Sequence, residues 1–425
     1  MVTIQEEKVM KSFAVKVKKM YDGSKDGVVN DVIVVVEAGK IKDVLKPSDH
    51  AKIGGYNAVL TDHSDKFMTP GLIDSHVHLM FPANGWRGEE LLHNMTSGEL
   101  HMVALKNALQ SLKRGITTLR DCGSNASVSS SLKKYINEGN VLGPDLIISG
   151  MPITPTGGHV HYLGGEADGE HEIRKLIRTQ YKKGIDFTKL IATWGGTNVA
   201  PKGNAFTIDE YKAAVSESHK LGLKITMHVI STDGIRAIVD TGLDGIEHAL
   251  FLSPDLMKPE QNKELAQKIA EKGIICCSTI CVWGETMAYL NRKPKSEWNK
   301  DEINEYDKLS SDEEMIVEDF RFQIKEGIKH ISGSDAGWRY CRFGHSLIYQ
   351  LELMSRGGMK NIDIIHATTA LPAEHMGIHG RLGSIKPGLQ ADFLILDADP
   401  GENISNFSKL HSVYKKGHLV SELIL

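Results

Sequence analysis

With 425 residues, 41% apolar and 24% charged, the chain is long enough to bury a large core. Its net charge of -4 gives no basic surface for nucleic acid or an anionic membrane, and no apolar run approaches the roughly 20 residues that span a bilayer. Five scattered cysteines (Cys122, Cys276, Cys277, Cys281 and Cys341) make no disulfide framework, and residues 1–19 lack the apolar stretch of a signal peptide, so a cytoplasmic globular enzyme is expected.

From about Ser12 to Lys66 the chain reads as short β pieces. Asp31 to Glu37 is a strand, Ala38-Gly39-Lys40 a turn, and Ile41 to Leu45 a second strand. Then comes Pro70-Gly71-Leu72-Ile73-Asp74-Ser75-His76-Val77-His78, an apolar run ending in two histidines one residue apart. In an extended strand residues i and i+2 share a face, so His76 and His78 project together. Imidazole is the commonest metal ligand, and two on one strand make half of a chelating site. Alone, the pair more often describes two polar residues leaving a strand for solvent.

The middle of the chain alternates. Helix Ser97–Arg114, stopped by Gly115, leads to strand Ile116–Asp121, helix Val128–Glu138 and strand Asp145–Ser149. Helix Glu170–Lys183 precedes strand Phe187–Ala192, and helix Ile208–Leu221, stopped by Gly222, precedes strand Lys224–Val229. Helix Asp233–Thr241, strand Gly245–Ala249, helix Glu260–Lys272 and strand Ile274–Ser278 follow, then helix Asp312–Glu326 and strand Lys329–Gly333. Such alternation implies a parallel sheet, and eight strands is the count that closes a (β/α)8 TIM-like barrel. No G-x-G-x-x-G follows the first strand to favour an open dinucleotide-binding sheet. The end is β again: Gly383 to Gly388 turns into Ala391–Leu396, and Ser412 to Leu425 is strand-like. We expect a small β-sandwich from both termini, residues 1–68 and 381–425, on a barrel of residues 69–380.

In such a barrel functional residues sit where strands end at the C-terminal face. Those ends carry His76 and His78, Lys189, His228, His248, and Asp335 in Ser332-Gly333-Ser334-Asp335-Ala336-Gly337. His228 could be a hydrogen-bonded core histidine and Asp335 a turn residue. Lys189 is harder to dismiss, because lysine is seldom buried unless paired. Their joint placement at one end of five strands points to a metal site.

These pieces, with Thr226-Met227-His228, Gly245-Ile246-Glu247-His248 and the closing Gly383-Ser384-Ile385-Lys386-Pro387-Gly388-Leu389-Gln390-Ala391-Asp392, resemble the amidohydrolase superfamily. The matching branch holds imidazolonepropionase-like proteins and Xaa-Pro dipeptidases. The resemblance spans nearly the whole chain and is more specific for superfamily than for substrate. It implies that His76, His78 and Asp335 bind a more buried metal, that His228 and His248 bind a second, and that carbon dioxide carboxylates Lys189 to a bridging carbamate. Carbamylation turns an ammonium that would repel the metals into an anionic oxygen ligand. Two metals about 3.5–4 Å apart polarise a carbonyl and hold a hydroxide that attacks it. Asp335 takes the proton and delivers it to the leaving amine. Nitrogen and oxygen ligands suit zinc, and also manganese or cobalt. The Cys276-Cys277 pair reads as core.

Deaminases of the superfamily carry a glutamate three residues after the strand-5 histidine, where this chain has Ser231. With Lys189, this favours amide (C–N) hydrolysis over ring deamination. Thr156-Gly157-Gly158-His159-Val160-His161-Tyr162 resembles the Gly-Gly-His loop of the dipeptidase branch, which makes His159, His161 and Tyr162 candidate substrate residues. Arg339 and Tyr340, beyond Asp335, are further candidates, with Arg342 close behind. A guanidinium fork suits a carboxylate, so a dipeptide or N-acyl amino acid with a free carboxylate is the expected substrate. The resemblance is imperfect: Ile230 stands where many prolidase-like members have tyrosine, and His161 is an additional histidine, so prolidase activity does not follow from it. Two other classes stay open. One is a hydrolase or deaminase of an imidazolone or pterin-type ring; the other is a non-catalytic interaction protein, which would be expected to lack ligands. A homo-oligomer acting on a small molecule, without nucleic acid or membrane partners, is expected.

Overall fold

The computed structural model describes residues 12–85, 90, 92, 94–195, 203–253, 258–298, 302–303, 306 and 312–423. The strands, in chain order, are β1 Phe13–Tyr21, β2 Val28–Glu37, β3 Lys40–Leu45, β4 Val59–Pro70, β5 Leu72–Val77, β6 Ile116–Asp121, β7 Asp145–Ile148 and β8 Phe187–Ile191. After them come β9 Lys224–Val229, β10 Gly245–His248, β11 Ile275–Ser278, β12 His330–Ser332, β13 Phe393–Leu396, β14 Leu410–Lys415 and β15 His418–Leu419.

Both chain ends meet in one seven-stranded sheet of order β15-β14-β13-β4-β1-β2-β3. Its β2 buries Val32 to Val36 without alternation, as a strand covered on both faces does. One face packs Val15, Val34, Met68 and Phe393 together, and the other Ala14, Ile33, Val35 and Leu45. The chain leaves this sheet at Gly71, where a Cβ would lie 2.2 Å from the Thr117 hydroxyl, so only glycine admits β4 so close to β6.

The eight central strands, β5 to β12, pair in parallel as two sheets, β5-β6-β7 and β12-β11-β10-β9-β8. Single bridges link them at both seams, Ile153 to Leu190 and Val77 to Ala336. The expected closed barrel is therefore seen as two parallel sheets with bridged seams rather than one continuous ladder. Helices follow the strands: α1 Ser97–Lys113, α2 Ala126–Asn137, α3 Gly169–Lys182, α4 Ile208–Lys220, α5 Thr232–Ile238, α6 Lys263–Glu271, α7 Cys281–Leu290 and α8 Asp312–Lys325. Beyond β12 lie α9 Ser346–Arg356, α10 Asn361–Ala367 and α11 Ala370–His375. Capping boxes start α1 (Thr96 with Glu99) and α4 (Thr207 with Glu210), and left-handed Gly115 and Gly222 follow their ends.

Several stretches depart from the sequence reading, among them α9 to α11, for which it names no element. Helix α7 was not foreseen, because it is apolar around most of its surface and shows no polar face to mark its period. Residues Val420–Leu423 are helical rather than strand-like. The Lys416-Gly417 turn joins β14 to β15, which runs only two residues, and Val420 is then buried in the core. Among the described residues no helix is long and apolar enough to cross a membrane.

A buried ion network fastens the terminal sheet to the start of β7. Lys415, 4% exposed, donates to Asp392 at 2.7 Å, to the Thr117 carbonyl at 2.9 Å and to Asp145, which Arg381 also meets. Burial pulls the Asp145 carboxyl up, but Lys415 and Arg381 outweigh it and hold it well below the usual range. A depressed carboxyl adds stability that is complete above its ordinary pKa and is lost as pH falls through the lowered one. Lys415→Met leaves two buried carboxylates short of a cation, and should cost about 3–5 kcal/mol at neutral pH. Urea unfolding followed by circular dichroism checks this; an unchanged midpoint would show that the network carries no stability.

Candidate metal centre

Strand β5 is buried along its length, and His76 and His78 leave its end toward the same side, with ring centroids 5.3 Å apart. Both meet the carboxylate that follows β12: His76 Nε2 lies 3.5 Å and His78 Nε2 3.2 Å from Asp335 Oδ1. His248, ending β10, stands 4.9 Å from His76 and 4.6 Å from His228 of β9, ring to ring. Lys189 of β8 is 2% exposed and faces them. All six line one cavity of about 210 Å³ at the C-terminal ends of the parallel strands.

A ring nitrogen that donates to a fixed acceptor sets the tautomer and turns the other nitrogen to the site. His78 Nδ1 lies 2.8 Å from the Gly123 carbonyl, His76 Nδ1 2.6 Å from Glu247 Oε2, and His248 Nδ1 2.7 Å from Thr279 Oγ1. Glu247 is 1% exposed and is itself held, its Oε1 accepting from Arg120 at 2.8 Å and Thr226 at 2.6 Å. Burial raises its carboxyl, but Arg120, His76 and Lys189 draw it well below the usual range.

Alternation along β10 would put Glu247 and His248 on opposite faces. The His248 backbone is left-handed (φ 68°), and this turns both side chains toward His76. Asp335 is left-handed too (φ 53°). Each such residue costs of order 1–3 kcal/mol, a strain that functional sites commonly hold. Asp335 is fixed from beneath: buried Asp74, pushed up to about 7, accepts from Ser334 N at 3.0 Å and Ser334 Oγ at 2.5 Å. At Gly333 an added Cβ would meet His76 Cβ and Cys277 Sγ at 2.6 Å, so glycine lets the Asp335 loop lie on β5.

His76 Nε2, His228 Nε2 and Asp335 Oδ1 are buried without a hydrogen-bond partner among the described residues. Burial, with Lys189 alongside, holds His76 down at about 4. Burial and neighbouring imidazoles hold His228 and His248 well below the usual value. Burial raises Asp335, yet His76 and His78 outweigh it and keep it ionised. Neutral imidazoles around an ionised carboxylate form the donor set a divalent cation takes, so these residues fit one. Among the described residues, His76, His248 and Asp335 bring ligand atoms within 4.8 Å of one another, as do His76, Cys122 and Glu247. In the second group His76 Nδ1 and Glu247 already bond each other.

The candidate substrate residues divide. His159 lines the cavity, 4.8 Å from the His228 ring and 5.9 Å from Trp338, and burial and Lys189 hold it down at about 3. Arg339 lines it from a left-handed position (φ 44°). His161, Tyr162 and Tyr340 lie outside the cavity wall. The first bonds the Gly158 carbonyl at 3.1 Å, the second lies ring to ring with Phe81 at 6.4 Å, and the third stacks on Tyr289 at 4.1 Å. Sequence reasoning missed Glu247, Thr279, Trp283 and Cys122. Glu247 carried a signal, since a carboxylate within an apolar strand must be paired, the logic already applied to Lys189. Ser231 Oγ accepts from Gly234 N at 3.2 Å and caps α5.

Known proteins carry the same framework. The amidohydrolase family model matches residues 67–420. Ochratoxinase of Aspergillus niger is 25% identical over 396 residues, covering 84% of this chain and 76% of that protein. Imidazolonepropionase of Thermoplasma volcanium is 20% identical, covering 92% and 90%. The solved structure of a Xaa-Pro dipeptidase with methionine in its active site is 26% identical, covers 96% of this chain and 99% of that one, and superposes with a TM-score of 0.81. The chain belongs to the amidohydrolase family and is a hydrolase acting on carbon–nitrogen bonds.

Proposed function

We propose that this enzyme cleaves the amide bond of a dipeptide or N-acyl amino acid that keeps a free carboxylate. The observation that carries the reading is the meeting of unpartnered His76 Nε2, His228 Nε2 and Asp335 Oδ1 in one cavity, with Arg339 on its wall. His76, His78 and Asp335 would hold one divalent ion and His228 and His248 a second, with Lys189, carboxylated to a carbamate, between them. Zinc is the favoured metal, with manganese or cobalt as alternatives. Bound there, the ions supply Lewis acidity toward the scissile carbonyl and acidify water.

The chain's own groups do the rest. Asp335 accepts the proton released during attack and returns it to the leaving amine nitrogen. Arg339 takes the substrate carboxylate and so orients the adjoining amide. The capping role of Ser231 supports amide hydrolysis over ring deamination, because its hydroxyl is engaged with the start of α5. The bridged seams support a closed (β/α)8 barrel, and the two covered faces of the terminal sheet support a β-sandwich from residues 1–68 and 381–425. Five buried, unpaired cysteines fit the reducing cytoplasm.

Metal analysis with a release screen over dipeptides, N-acyl amino acids and heterocycles tests the reading directly. Two ions per chain and amino acid release are expected, with Lys189→Ala lowering occupancy and rate together. A single ion under metal-replete conditions, or ammonia release from heterocycles alone, would overturn it. Asp335→Asn cannot accept the proton, so kcat should fall at least roughly 100-fold while metal content holds. Turnover within a few-fold of wild type would remove Asp335 from proton transfer. Losing a charge-assisted contact costs about 1.5–3 kcal/mol, so Arg339→Met should lower kcat/KM by roughly 10–150-fold. Substrates with a free carboxylate should show this loss and their carboxamides should be spared. Equal loss on both, measured by steady-state kinetics, would rule Arg339 out as the anchor.

A further inference from the structure

A second cavity, of about 320 Å³, lies on the other side of α7 from the metal centre. Three guanidinium groups line it: Arg114 at the end of α1, Arg292 just past α7, and Arg342 in the loop after β12. They converge on His345, whose imidazole is held low by burial and by Arg114, Arg342 and Arg292 together. Arg342 reaches Glu285, but only at 3.7 Å, longer than a good hydrogen bond. Among the described residues, Arg114 and Arg292 have no carboxylate within ion-pair distance. Glu352, also on the wall, is raised by burial with no cation lowering it. Three guanidinium groups thus face two carboxylates, of which Glu285 is only weakly engaged, and positive charge is in excess.

We propose that this cavity binds a dianionic phosphate group, as inorganic phosphate or as a phosphate monoester, and acts as an effector site. Planar guanidinium forks match the tetrahedral oxygens of phosphate, and a dianion offers one charge to each of the two arginines, Arg114 and Arg292, that have no carboxylate at ion-pair distance among the described residues. Two elements connect it to the metal centre. Helix α7 places Val282, Trp283 and Thr286 on the metal cavity and Glu285 and Ala288 on this one. The loop after β12 places Asp335 and Arg339 on the first and Arg342 and His345 on the second. An anion here therefore bears on both walls of the active cavity without entering it. The site stands on its own residues and does not depend on the proposed substrate.

The test is isothermal titration of the metal-loaded enzyme with inorganic phosphate, and separately with phenyl phosphate, for wild type, Arg292→Met and Arg114→Met. Phosphate also binds metal ions, so the wild type should show one site more than the variants, or that site should weaken at least about tenfold in them. Both arginines are exposed and lie outside the metal centre, so basal activity without phosphate should be unchanged. Tighter binding of phenyl phosphate would identify an organic phosphate as the ligand; equal or weaker binding would identify free phosphate. Identical isotherms for wild type and both variants would place all bound phosphate on the metals and overturn the proposal.

Discussion

Glu247 sits sealed from solvent where three strands meet, and the geometry of the metal centre depends on how its charge is satisfied. One oxygen accepts a hydrogen bond from His76 of β5; the other accepts from Arg120 of β6 and Thr226 of β9. A buried carboxylate with all its partners in place is rigid, whereas one left short of a partner costs several kcal/mol. The pair thus locks the His76 ring at a fixed tautomer, and Arg120 is in turn stacked over Phe187 at 4.3 Å. From that fixed ring the rest follows: Asp335 is placed against it, and His248 and His228 stand next along the arc.

The same centre holds strained backbone. Left-handed backbone at His248 and Asp335, and the close seat of Gly333 on β5, are unfavourable locally and are held by the packing around them. At His248 and Asp335 the strain falls just where strands end and side chains must depart from alternation to face one point. The strand N-terminal ends show the opposite character. There Lys415 and Arg381 with Asp145 and Asp392 form a neutralised network that holds the two parts of the chain together and lines no part of the metal cavity. Activity and stability are thus divided between opposite ends of the same strands.

Much of this could be read from residues alone. The helix stops at Gly115 and Gly222, the strands Ile116–Asp121 and Lys224–Val229, and the shared face of His76 and His78 all follow from local rules of period and turn chemistry. What escaped was non-local. No single-strand rule tells that Glu247 meets His76, since the two are 171 residues apart. Nor does strand alternation foresee a left-handed His248, which depends on the packing beyond β10. Tyr340, beside Arg339 in sequence, turns away because Tyr289 of α7 offers a stacking partner, and α7 had no amphipathic signature to announce it.

The pairing of β4 with β13 has a consequence for how the protein is made. Phe393 lies opposite Pro70, so roughly 320 residues must leave the ribosome between them, about 16–65 seconds at 5–20 residues per second. Through that interval β4 can pair with β1 but keeps its other edge open, a template on which a neighbouring nascent chain could add a strand. The first part of β4 carries Asp62, Asp65 and Lys66, charges that oppose such addition, while Phe67 and Met68 farther on carry none. Newborn chains are therefore most prone to aggregate in the window that closes only when the last strands emerge, and a shortened C-terminus would hold that window open permanently.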